Sequence, residues 1–405
     1  MTLPLQGVRV VELGRLIAAP WASQMLADFG AEVVKVEDPR GGDPLRSLGP
    51  GFLPDAQGRP TGDSGKFSAV NRNKQSITVN LADPQGQEIV RALLSDADVL
   101  VENYKVGDLK RRGLDYSSVK AFNPGIVYAS VTGFGQTGPY RGIGALDAMI
   151  QAYSGFMSVN GEAGGPPLKS NVNIMDFTTG MFAAYAIMMA LYARRNHPQG
   201  DGCHIDLSML DCGISLMSFT MLSALVAGAQ PPRLGSTNFD WVPSGVFECS
   251  DGPLYLAVGS DQDFARYCQV IGREDLLGDP RYGQRAARNA HVPELHAISS
   301  QVLAGQPVDT WVRAFNAVGL NAAPISDFAD IGKNPQVQAR AILQAQQHAA
   351  GADIPVVRNP ILLSGTGELP LAPPPLLGQH THDILAGRLG YSPERISALA
   401  RAGTI

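Results

Sequence analysis

The first third of the chain alternates short runs of β-branched residues with amphipathic segments. The runs read GVRVVEL, AEVVKVE, SITVNL and DVLVEN, and the segments between them include PWASQMLADFG and DPQGQEIVRALLSDA. This alternation is typical of parallel βαβ units in a doubly wound sheet. Pro20 and Pro84 are predicted as first residues of helices, and Asp83 as an N-cap.

The pattern changes twice further along the chain. GIVYASVTGFG predicts another strand, a helix is predicted to begin at Asp176, and CHIDLS predicts one more strand. After residue 225 the sequence becomes strand-rich with short helices, and after residue 325 it becomes proline-rich and then helical. We therefore expect an α/β protein with a large domain over 1–225, a smaller domain over 226–325, and a segment over 326–405 that returns to the large domain.

Composition and charge narrow the class of protein. Hydrophobic residues make up 44% and charged residues 17% of the 405 positions, which is typical of a globular enzyme. The net charge of -5, without a sustained Lys/Arg block, argues against a nucleic-acid surface. The longest apolar run, 181–192, stops short of the roughly 20 residues that cross a bilayer and predicts a buried helix. Without a signal-peptide pattern either, we expect a cytoplasmic protein that does not bind membranes.

The sequence contains no motif for several common kinds of metal, cofactor or catalytic site. The four cysteines, at 203, 212, 249 and 268, form no C-x-x-C pair, so we expect buried reduced thiols and no metal site. The first strand-to-helix turn reads GRLIAAP instead of G-x-G-x-x-G, which argues against a bound dinucleotide. A P-loop, an H-E-x-x-H helix and a G-x-S-x-G elbow are also missing.

Seven sequence blocks together resemble one family. They are LQGVRVVELGRLIAAPWASQMLADFGAEVVKVEDPRGGDPLR, NRNKQSITVNL, VLVENYKVGDLKRRGLDY, GFGQTGPYRG, GPPLKSNVNIMDFTTGM, QGDGCHIDLSMLD and PPLLGQHT. In this order they resemble the class III CoA transferases, the CaiB/BaiF family, over essentially the whole chain. The resemblance implies a Rossmann-like large domain, a smaller inserted α+β domain and an interlocked homodimer. It also implies that CoA is a substrate and no permanently bound cofactor, with acyl-CoA and a small carboxylic acid as partners.

Asp176 is the candidate catalytic residue. It precedes a long helical pattern, so its carboxylate is predicted to lie at a helix N-terminus, where the dipole stabilises the anion and keeps the pKa low. On the residues alone an ordinary N-cap is the favoured interpretation, because capping aspartates are common. The resemblance implies that it is the nucleophile, which forms a mixed anhydride with the acyl group and then an aspartyl-CoA thioester. Glycines at 161, 164, 165 and 180 could bring backbone N–H groups to a developing oxyanion, although turn chemistry also explains them.

The resemblance also implies a set of CoA-binding residues. They are Leu16, Ile17 and Ala18; Val79, Asn80, Leu81 and Ala82; Asn103, Tyr104 and Lys105; and Arg111. Tyr104 suits an adenine and Arg111 suits a phosphate. The alternative is that Lys105, Lys110, Arg111 and Arg112 form a solvated basic face.

Some positions depart from the formyl-CoA transferase branch of the family. Ile17 replaces a glutamine, Asp38 replaces an arginine with Arg40 two residues on, and the glycine-rich active-site loop is not recognisable. These differences argue against oxalate and formate as substrates. A larger or more apolar acid fits better with Ile17, Phe177 and Trp241.

The racemase branch of the family provides a second hypothesis. Its members place a histidine before an aspartate in the stretch that reads ALDAMIQAYSG here, and the aspartate matches Asp147, but the histidine position holds Leu146. Leucine cannot take a proton from a substrate α-carbon. CoA transfer is therefore favoured over a racemase or isomerase, and a CoA-binding protein without catalysis is the third alternative.

Overall fold

The chain forms two compact units in a computed structural model that describes residues 3–196, 199–238 and 240–405. The larger unit contains residues up to Phe156, Ser170–Gly228 and Ala339–Ile405. The smaller unit contains Met157–Lys169 and Ala229–Gln338. The part of the larger unit that precedes the smaller one ends at Gly228, three residues beyond the predicted boundary at 225. Residues 157–169 and 326–338 belong to the smaller unit, which differs from the predicted ranges.

Thirteen strands are present in the described residues. In chain order they are β1 Arg9–Leu13, β2 Glu32–Glu37, β3 Phe52–Pro54, β4 Pro60–Ser64, β5 Lys74–Thr78, β6 Val99–Glu102, β7 Val127–Thr132, β8 His204–Ser208, β9 Ser244–Glu248, β10 Pro253–Ala257, β11 Asn321–Pro324, β12 Leu343–Gln347 and β13 Asp353–Val357. The first eight, with β12 and β13, lie in the larger unit.

Seventeen α-helices connect or cover these strands in the same described ranges. They are α1 Ala18–Ala27, α2 Gly65–Asn71, α3 Pro84–Leu94, α4 Tyr116–Lys120, α5 Asp147–Tyr153, α6 Phe156–Val159, α7 Ile174–Asn196, α8 Met209–Leu216, α9 Ser218–Ala227, α10 Asp261–Ile271, α11 Arg285–Ala290, α12 Val292–Leu303, α13 Val308–Ala317, α14 Phe328–Ile331, α15 Pro335–Ala339, α16 Thr381–Asp383 and α17 Pro393–Arg401. Short 3-10 turns occur at Pro44–Ser47, Lys110–Arg112 and Glu274–Gly278, and one turn of π-helix at Ile384–Arg388.

A six-stranded sheet in the order β5-β2-β1-β6-β7-β8 organises the larger unit. Every neighbouring pair is parallel, which confirms the predicted α/β class with a parallel central sheet. The order reverses between β1 and β6, so a crevice opens beyond the carboxyl ends of these two strands.

Both faces of the central sheet are covered. On one face Val11 and Val34 pack with α3 and with the C-terminal residues Leu385 and Leu399. On the other face Val10, Val33 and Val99 pack with α1 and α7. Burial on both faces explains why the strands read as continuous β-branched runs. The C-terminal residues Ile384, Leu385, Ile396 and Leu399 thus form part of the core of the larger unit.

The predicted start of α3 agrees with the structure, whereas the predicted start of α1 does not. Asp83 caps α3 by accepting from the Gln85 N–H at 2.9 Å, and Pro84 is the first helical residue, as predicted. Pro20 is the third residue of α1, because the helix already begins at Ala18.

Two hairpins in the larger unit were missed by the sequence analysis. Strands β3 and β4 pair with an irregular register, and β12 pairs with β13. Ile354 and Val356 of β13 share a small core with Leu53 of β3. Their segments mix proline, glycine and charged residues, so a period-2 pattern is weak there.

The smaller unit contains an antiparallel sheet in the order β11-β10-β9. Helices α10, α12 and α13 pack on it through a core that includes Phe264, Tyr267, Leu295 and Phe315. The cis bond before Pro243 precedes β9. The smaller unit thus combines an antiparallel sheet with packed helices.

Helix α7 is only half buried in the described chain. Its buried face includes Gly180, Ala183 and Ile187, whereas Tyr185 and Tyr192 on the other face are exposed. The prediction of a buried helix over 181–192 therefore holds for only one side of α7, the side that packs against α1. By length and composition alone α7 would also be long and apolar enough to cross a membrane.

Candidate active site

A cleft of about 640 Å³ lies at the carboxyl ends of the central strands. It is lined by Gly14, Arg15, Val36, Glu37, Asp38, Arg40, Gly41, Gly42, Asp43, Pro44, Val79, Asn80, Leu81, Ala82, Tyr104 and Arg112. These residues follow β1, β2, β5 and β6, so the cleft lies where the strand order reverses. Ligands of doubly wound sheets bind at this position.

The turn after β1 is fastened to the turn after β6. The N–H of Arg15 donates to Oδ1 of Asn103 at 2.9 Å, and Nδ2 of Asn103 donates to the carbonyl of Arg15 at 2.7 Å. The Arg15 guanidinium lies 4.3 Å from the centre of the Tyr104 ring. Asn103 was predicted to contact CoA, but its side-chain amide is occupied by the backbone of Arg15.

The predicted CoA-binding residues fall into two groups. Tyr104 and the stretch 79–82 line the cleft. Ala18 lies in the hydrophobic core, and Ile17 packs against Leu45 and Phe67. Leu16, a half-buried residue, has a left-handed backbone with φ of 62°. In the first turn, Gly14 and Arg15 are the residues that face the cleft.

The basic residues are arranged differently from the prediction. Arg112 lines the cleft, whereas the side chain of Arg111 forms an ion pair with Asp108. Arg40 also lines the cleft, and Nη2 of Arg40 lies 2.8 Å from Oδ2 of Asp38. Three arginines thus line the cleft, Arg15, Arg40 and Arg112, and Nη1 of Arg112 also donates to the carbonyl oxygen of Asp108 at 2.8 Å.

Lys105 lines a second cavity of about 320 Å³, which shares Tyr104 with the cleft. At its base, Glu102 accepts from the N–H of Tyr104 at 2.8 Å, and Oγ of Ser130 lies 2.9 Å from Nε2 of His204. Burial raises the pKa of Glu102 to about 7, although hydrogen bonds from Ser130 and Tyr104 oppose the shift. A buried titratable group, Glu102, is thus hydrogen-bonded to the backbone of Tyr104, which also lines the cleft.

Asp176 is the third residue of α7 and is partly buried. The prediction that it begins the helix is therefore wrong by two residues. Its carboxylate is 3.4 Å from the side-chain amide of Asn173, which donates to it. The next residue, Phe177, packs edge-on against Trp21 of α1 at 5.1 Å between ring centres. Helix α1 thus connects the turn at the cleft to the head of α7.

Asp147 caps α7 from another helix. Its Oδ2 accepts from the N–H of Met175 at 2.7 Å and from the N–H of Asp176 at 3.1 Å. Gln151 donates to Oδ1 of Asp147 at 2.5 Å, and its own Oε1 accepts from the N–H of Ser170 at 2.8 Å. The free N–H groups that were predicted to stabilise Asp176 are therefore used by Asp147.

The pKa of Asp176 is raised from 3.8 to about 7. Burial is the largest cause and the nearby Asp147 carboxylate is the second, while the Asn173 amide opposes them. The prediction of a low pKa is wrong because desolvation of the carboxylate outweighs the effect of the helix end. Near neutral pH, Asp176 is divided between the neutral acid and the carboxylate.

The glycines that were predicted to bring N–H groups to an oxyanion have structural explanations. A Cβ on Gly180 would lie 2.6 Å from the Ala18 carbonyl oxygen and 2.8 Å from Cδ1 of Trp21. Gly180 is thus required for the close contact of α7 with α1. Gly161 and Gly164 adopt positive φ in a turn of the smaller unit, and the Gly165 carbonyl accepts from Arg233.

Sequence reasoning missed the structural roles of Arg15, Asp43, Arg112 and Asp147. Asp43 lies in the GGDPLR block and is 2% exposed, although glycine and proline beside it favour a surface turn. Lys35 gives a clearer signal, because a lysine inside the buried strand EVVKVE needs buried partners. Within the described residues, no group of three or more His, Cys, Asp and Glu side chains is placed to hold a metal ion.

Comparison with known proteins agrees with this architecture. The profile of CoA-transferase family III matches residues 5–381. The chain belongs to CoA-transferase family III. This transferase is 41% identical to a succinate–glutarate CoA-transferase of Agrobacterium fabrum, over 95% of each chain. It is 36% identical to a succinyl-CoA:glutarate CoA-transferase of Mus musculus, over 99% of this chain and 90% of the relative.

A solved structure shows the same fold. The crystal structure of a CaiB/BaiF family protein from Brucella suis superimposes with a TM-score of 0.87 at 36% identity. The match covers 95% of this chain and 99% of the other. The family resemblance and the CoA-transferase activity predicted from the sequence are thus confirmed, so the protein moves CoA between an acyl-CoA and a carboxylic acid.

Proposed function

We propose that this transferase carries the acyl group on Asp176. The Asp176 carboxylate attacks the thioester carbonyl of the donor, the C–S bond breaks, and a mixed anhydride and CoA thiolate form. The thiolate then attacks the aspartyl carbonyl, which releases the donor acid and leaves an aspartyl-CoA thioester. The acceptor carboxylate attacks that thioester, and the returning thiolate takes the acceptor acyl group and frees Asp176. The supporting observation is a partly buried carboxylate held at the head of α7.

The cleft beyond β1 and β6 is the proposed CoA site. The arginines that line it, Arg15, Arg40 and Arg112, would provide positive charge for the phosphates, and Tyr104, whose ring lies against Arg15, is the proposed contact of the adenine. Two of these arginines, Arg15 and Arg112, approach from the turn after β1 and the segment after β6. CoA bound in this cleft would lie along the larger unit, with its phosphates beside the turn that leads into α1.

Dicarboxylic acids are the proposed acyl donors and acceptors. The two relatives compared above are named for succinate or succinyl-CoA and for glutarate. Ile17 and Phe177 belong to one apolar cluster with Trp21, which suits the methylene chain of such an acid. Trp241, which was also expected to favour a larger acid, is half exposed in the smaller unit.

A homodimer is the proposed assembly. Helix α9 has no buried residue among those described, and Phe219, Leu222 and Val226 on it are 87%, 60% and 90% exposed. The exposed side of α7 adds Tyr185 and Tyr192. Apolar surface of this extent marks a protein interface, and a second copy of the chain would cover it.

The activity is tested with a matrix of donors and acceptors. Purified enzyme is incubated with succinyl-CoA, glutaryl-CoA, acetyl-CoA or a 2-methylacyl-CoA and with each free acid, and product thioesters are identified by mass spectrometry. The proposal predicts exchange between succinyl-CoA and glutarate, with weaker exchange to oxalate and formate. Exchange restricted to monocarboxylic acids would contradict the proposed substrates. Deuterium uptake at the α-carbon of the 2-methylacyl-CoA without exchange would support the racemase hypothesis.

The assembly is tested separately by sedimentation. Phe219→Asp combined with Leu222→Asp should convert the dimer to monomer, because two charges would be buried at the interface. Leu277→Asp, on an exposed site of the smaller unit, is the matched control and should leave the dimer intact. A monomeric parent protein, or one that sediments only with detergent or lipid, would contradict the proposed homodimer.

A further inference from the structure

A buried ionic network lies beneath the turn that enters the cleft. Lys35 is fully buried in β2, and its Nζ donates to Oε1 of Glu12 at 2.7 Å, to Oδ2 of Asp43 at 2.9 Å and to the carbonyl of Gly14 at 2.9 Å. The other oxygen of Glu12 lies 2.8 Å from Nζ of Lys74. All three ammonium hydrogens of Lys35 are thus directed at the turn or at carboxylates beside it.

Asp43 joins the two walls of the cleft. Its Oδ1 accepts from the N–H of Leu16 at 3.0 Å and from the N–H of Leu45 at 2.9 Å. Its Oδ2 is held by Lys35, and its own N–H donates to Glu37 at 3.0 Å. A single buried carboxylate therefore fixes the turn after β1 and the loop after β2 relative to each other.

The turn needs such support because Leu16 is strained. Its φ of 62° lies in the left-handed region, which costs a non-glycine residue about 1–2 kcal/mol. The following residue, Ile17, is the N-cap of α1 and makes no side-chain cap hydrogen bond. A strained conformation persists only where its surroundings fix it, and here the bonds from Asp43 and Asn103 do so.

We infer that Asp43, anchored by Lys35, is a positioning residue that sets the turn from Gly14 to Leu16 in the shape that receives CoA before CoA arrives. This inference rests on the proposed function, because it assumes that CoA occupies the cleft. The benefit of a preset turn is that binding does not have to order it. A network that served only the stability of the fold would leave the affinity for acyl-CoA unchanged.

The first test replaces Asp43 by asparagine. An asparagine cannot offer one oxygen to Lys35 and another to the N–H groups of Leu16 and Leu45. Because Lys35 remains charged, we expect the amide oxygen to turn toward it, which leaves the Leu16 N–H without an acceptor. The relaxed turn must then be strained again on binding, so Asp43→Asn should raise the KM for acyl-CoA roughly five- to thirtyfold. The kcat should stay within about threefold.

A second substitution tests whether Asp43 acts through the backbone conformation of Leu16. Glycine adopts positive φ without strain, so Leu16→Gly removes the reason for the turn to relax. In the Leu16→Gly background, Asp43→Asn should therefore raise the KM by less than about threefold. An equal cost of Asp43→Asn in both backgrounds would overturn the inference, because Asp43 would then not act through the conformation of Leu16.

A measurement on the unaltered protein covers the case in which Asp43→Asn does not fold. Amide hydrogen exchange of the peptide spanning 14–17 should be slow without ligand and change little when acyl-CoA is added. Fast exchange that slows only with acyl-CoA would show that the turn is not preset. If acyl-CoA fails to bind the parent protein at all, the proposed function is wrong; if it binds and the turn was mobile beforehand, only this inference is wrong.

Discussion

The Oδ2 atom of Asp147 accepts a hydrogen bond from the backbone N–H of Asp176 at 3.1 Å. One carboxylate thus holds the helix end on which the other is presented. The same contact brings two acidic groups together, and the charge of Asp147 helps to raise the pKa of Asp176. The position of the proposed nucleophile and its protonation are therefore coupled through one side chain.

Asp147→Asn should move the pH dependence of activity. The asparagine oxygen can still accept from the helix N–H groups, but it carries no charge, so the pKa of Asp176 should fall. The rise of kcat/KM, expected near pH 7 in the parent enzyme, should then occur at lower pH. Steady-state kinetics from pH 5 to 9 measure this shift.

The matched control for this change is Asp83→Asn. Asp83 caps α3, which packs on the sheet face opposite to α7. The same chemical change at this cap should leave the pH midpoint in place, whatever it does to stability. A midpoint that is equally unaffected by Asp147→Asn would show that the two carboxylates do not interact.

Asp176→Asn should stabilise the protein at high pH. The folded-state pKa of about 7 lies above the ordinary value of 3.8, so the folded protein loses stability as pH rises between these values. The asparagine variant does not ionise, and above pH 7 it should unfold with a free energy larger by about 2–4 kcal/mol. Below pH 4 the two proteins should match. Urea unfolding at pH 8 and pH 4, at equal protein concentration, measures both differences, and a variant less stable at pH 8 would contradict the raised pKa.

Arg112→Ala should weaken acyl-CoA binding more than Arg111→Ala. Arg112 lines the cleft, whereas Arg111 is paired with Asp108. Loss of a charge-assisted contact to phosphate costs about 1.5–3 kcal/mol, so the KM for acyl-CoA should rise roughly tenfold or more for Arg112→Ala. For Arg111→Ala the increase should be within about twofold. The reverse order would place the phosphates on the side of Arg111, as the sequence alone suggested.

Gly180→Ala should destabilise the larger unit. The new methyl group would lie 2.6 Å from the Ala18 carbonyl oxygen, so α7 must move away from α1 at a cost of about 1–3 kcal/mol. Gly387→Ala is the control, because a Cβ there meets nothing within 4 Å. Thermal unfolding should separate the two variants, and equal stability would contradict the close packing of these helices.

Much of the fold could be predicted because the central strands and the helix caps carry local signals. The β-branched runs at β1, β2 and β6 are buried on both faces, and Asp83 with Pro84 marks the start of α3. The hairpins β3–β4 and β12–β13 could not be predicted, since they are short and rely on each other for burial.

The sequence blocks indicate candidate site residues but not the environment of each side chain. Asp176 and Tyr104 are candidates from sequence blocks, whereas the low pKa expected for Asp176 is wrong because its carboxylate is desolvated and because Asp147, distant in sequence, takes the helix cap. Likewise, Asn103 was assigned to CoA although its amide holds Arg15. Long-range hydrogen bonds of this kind leave no periodic pattern in the sequence.

The most direct measurement is peptide mapping of the enzyme trapped during turnover. The protein is mixed with succinyl-CoA, hydroxylamine or borohydride is added, and carboxyl modifications are located by mass spectrometry. The Asp176 mechanism predicts a hydroxamate or a reduced side chain at Asp176, none at Asp147, and no adduct in Asp176→Asn. Undiminished CoA exchange by Asp176→Asn, or an adduct on a different carboxylate in the parent enzyme, would contradict it.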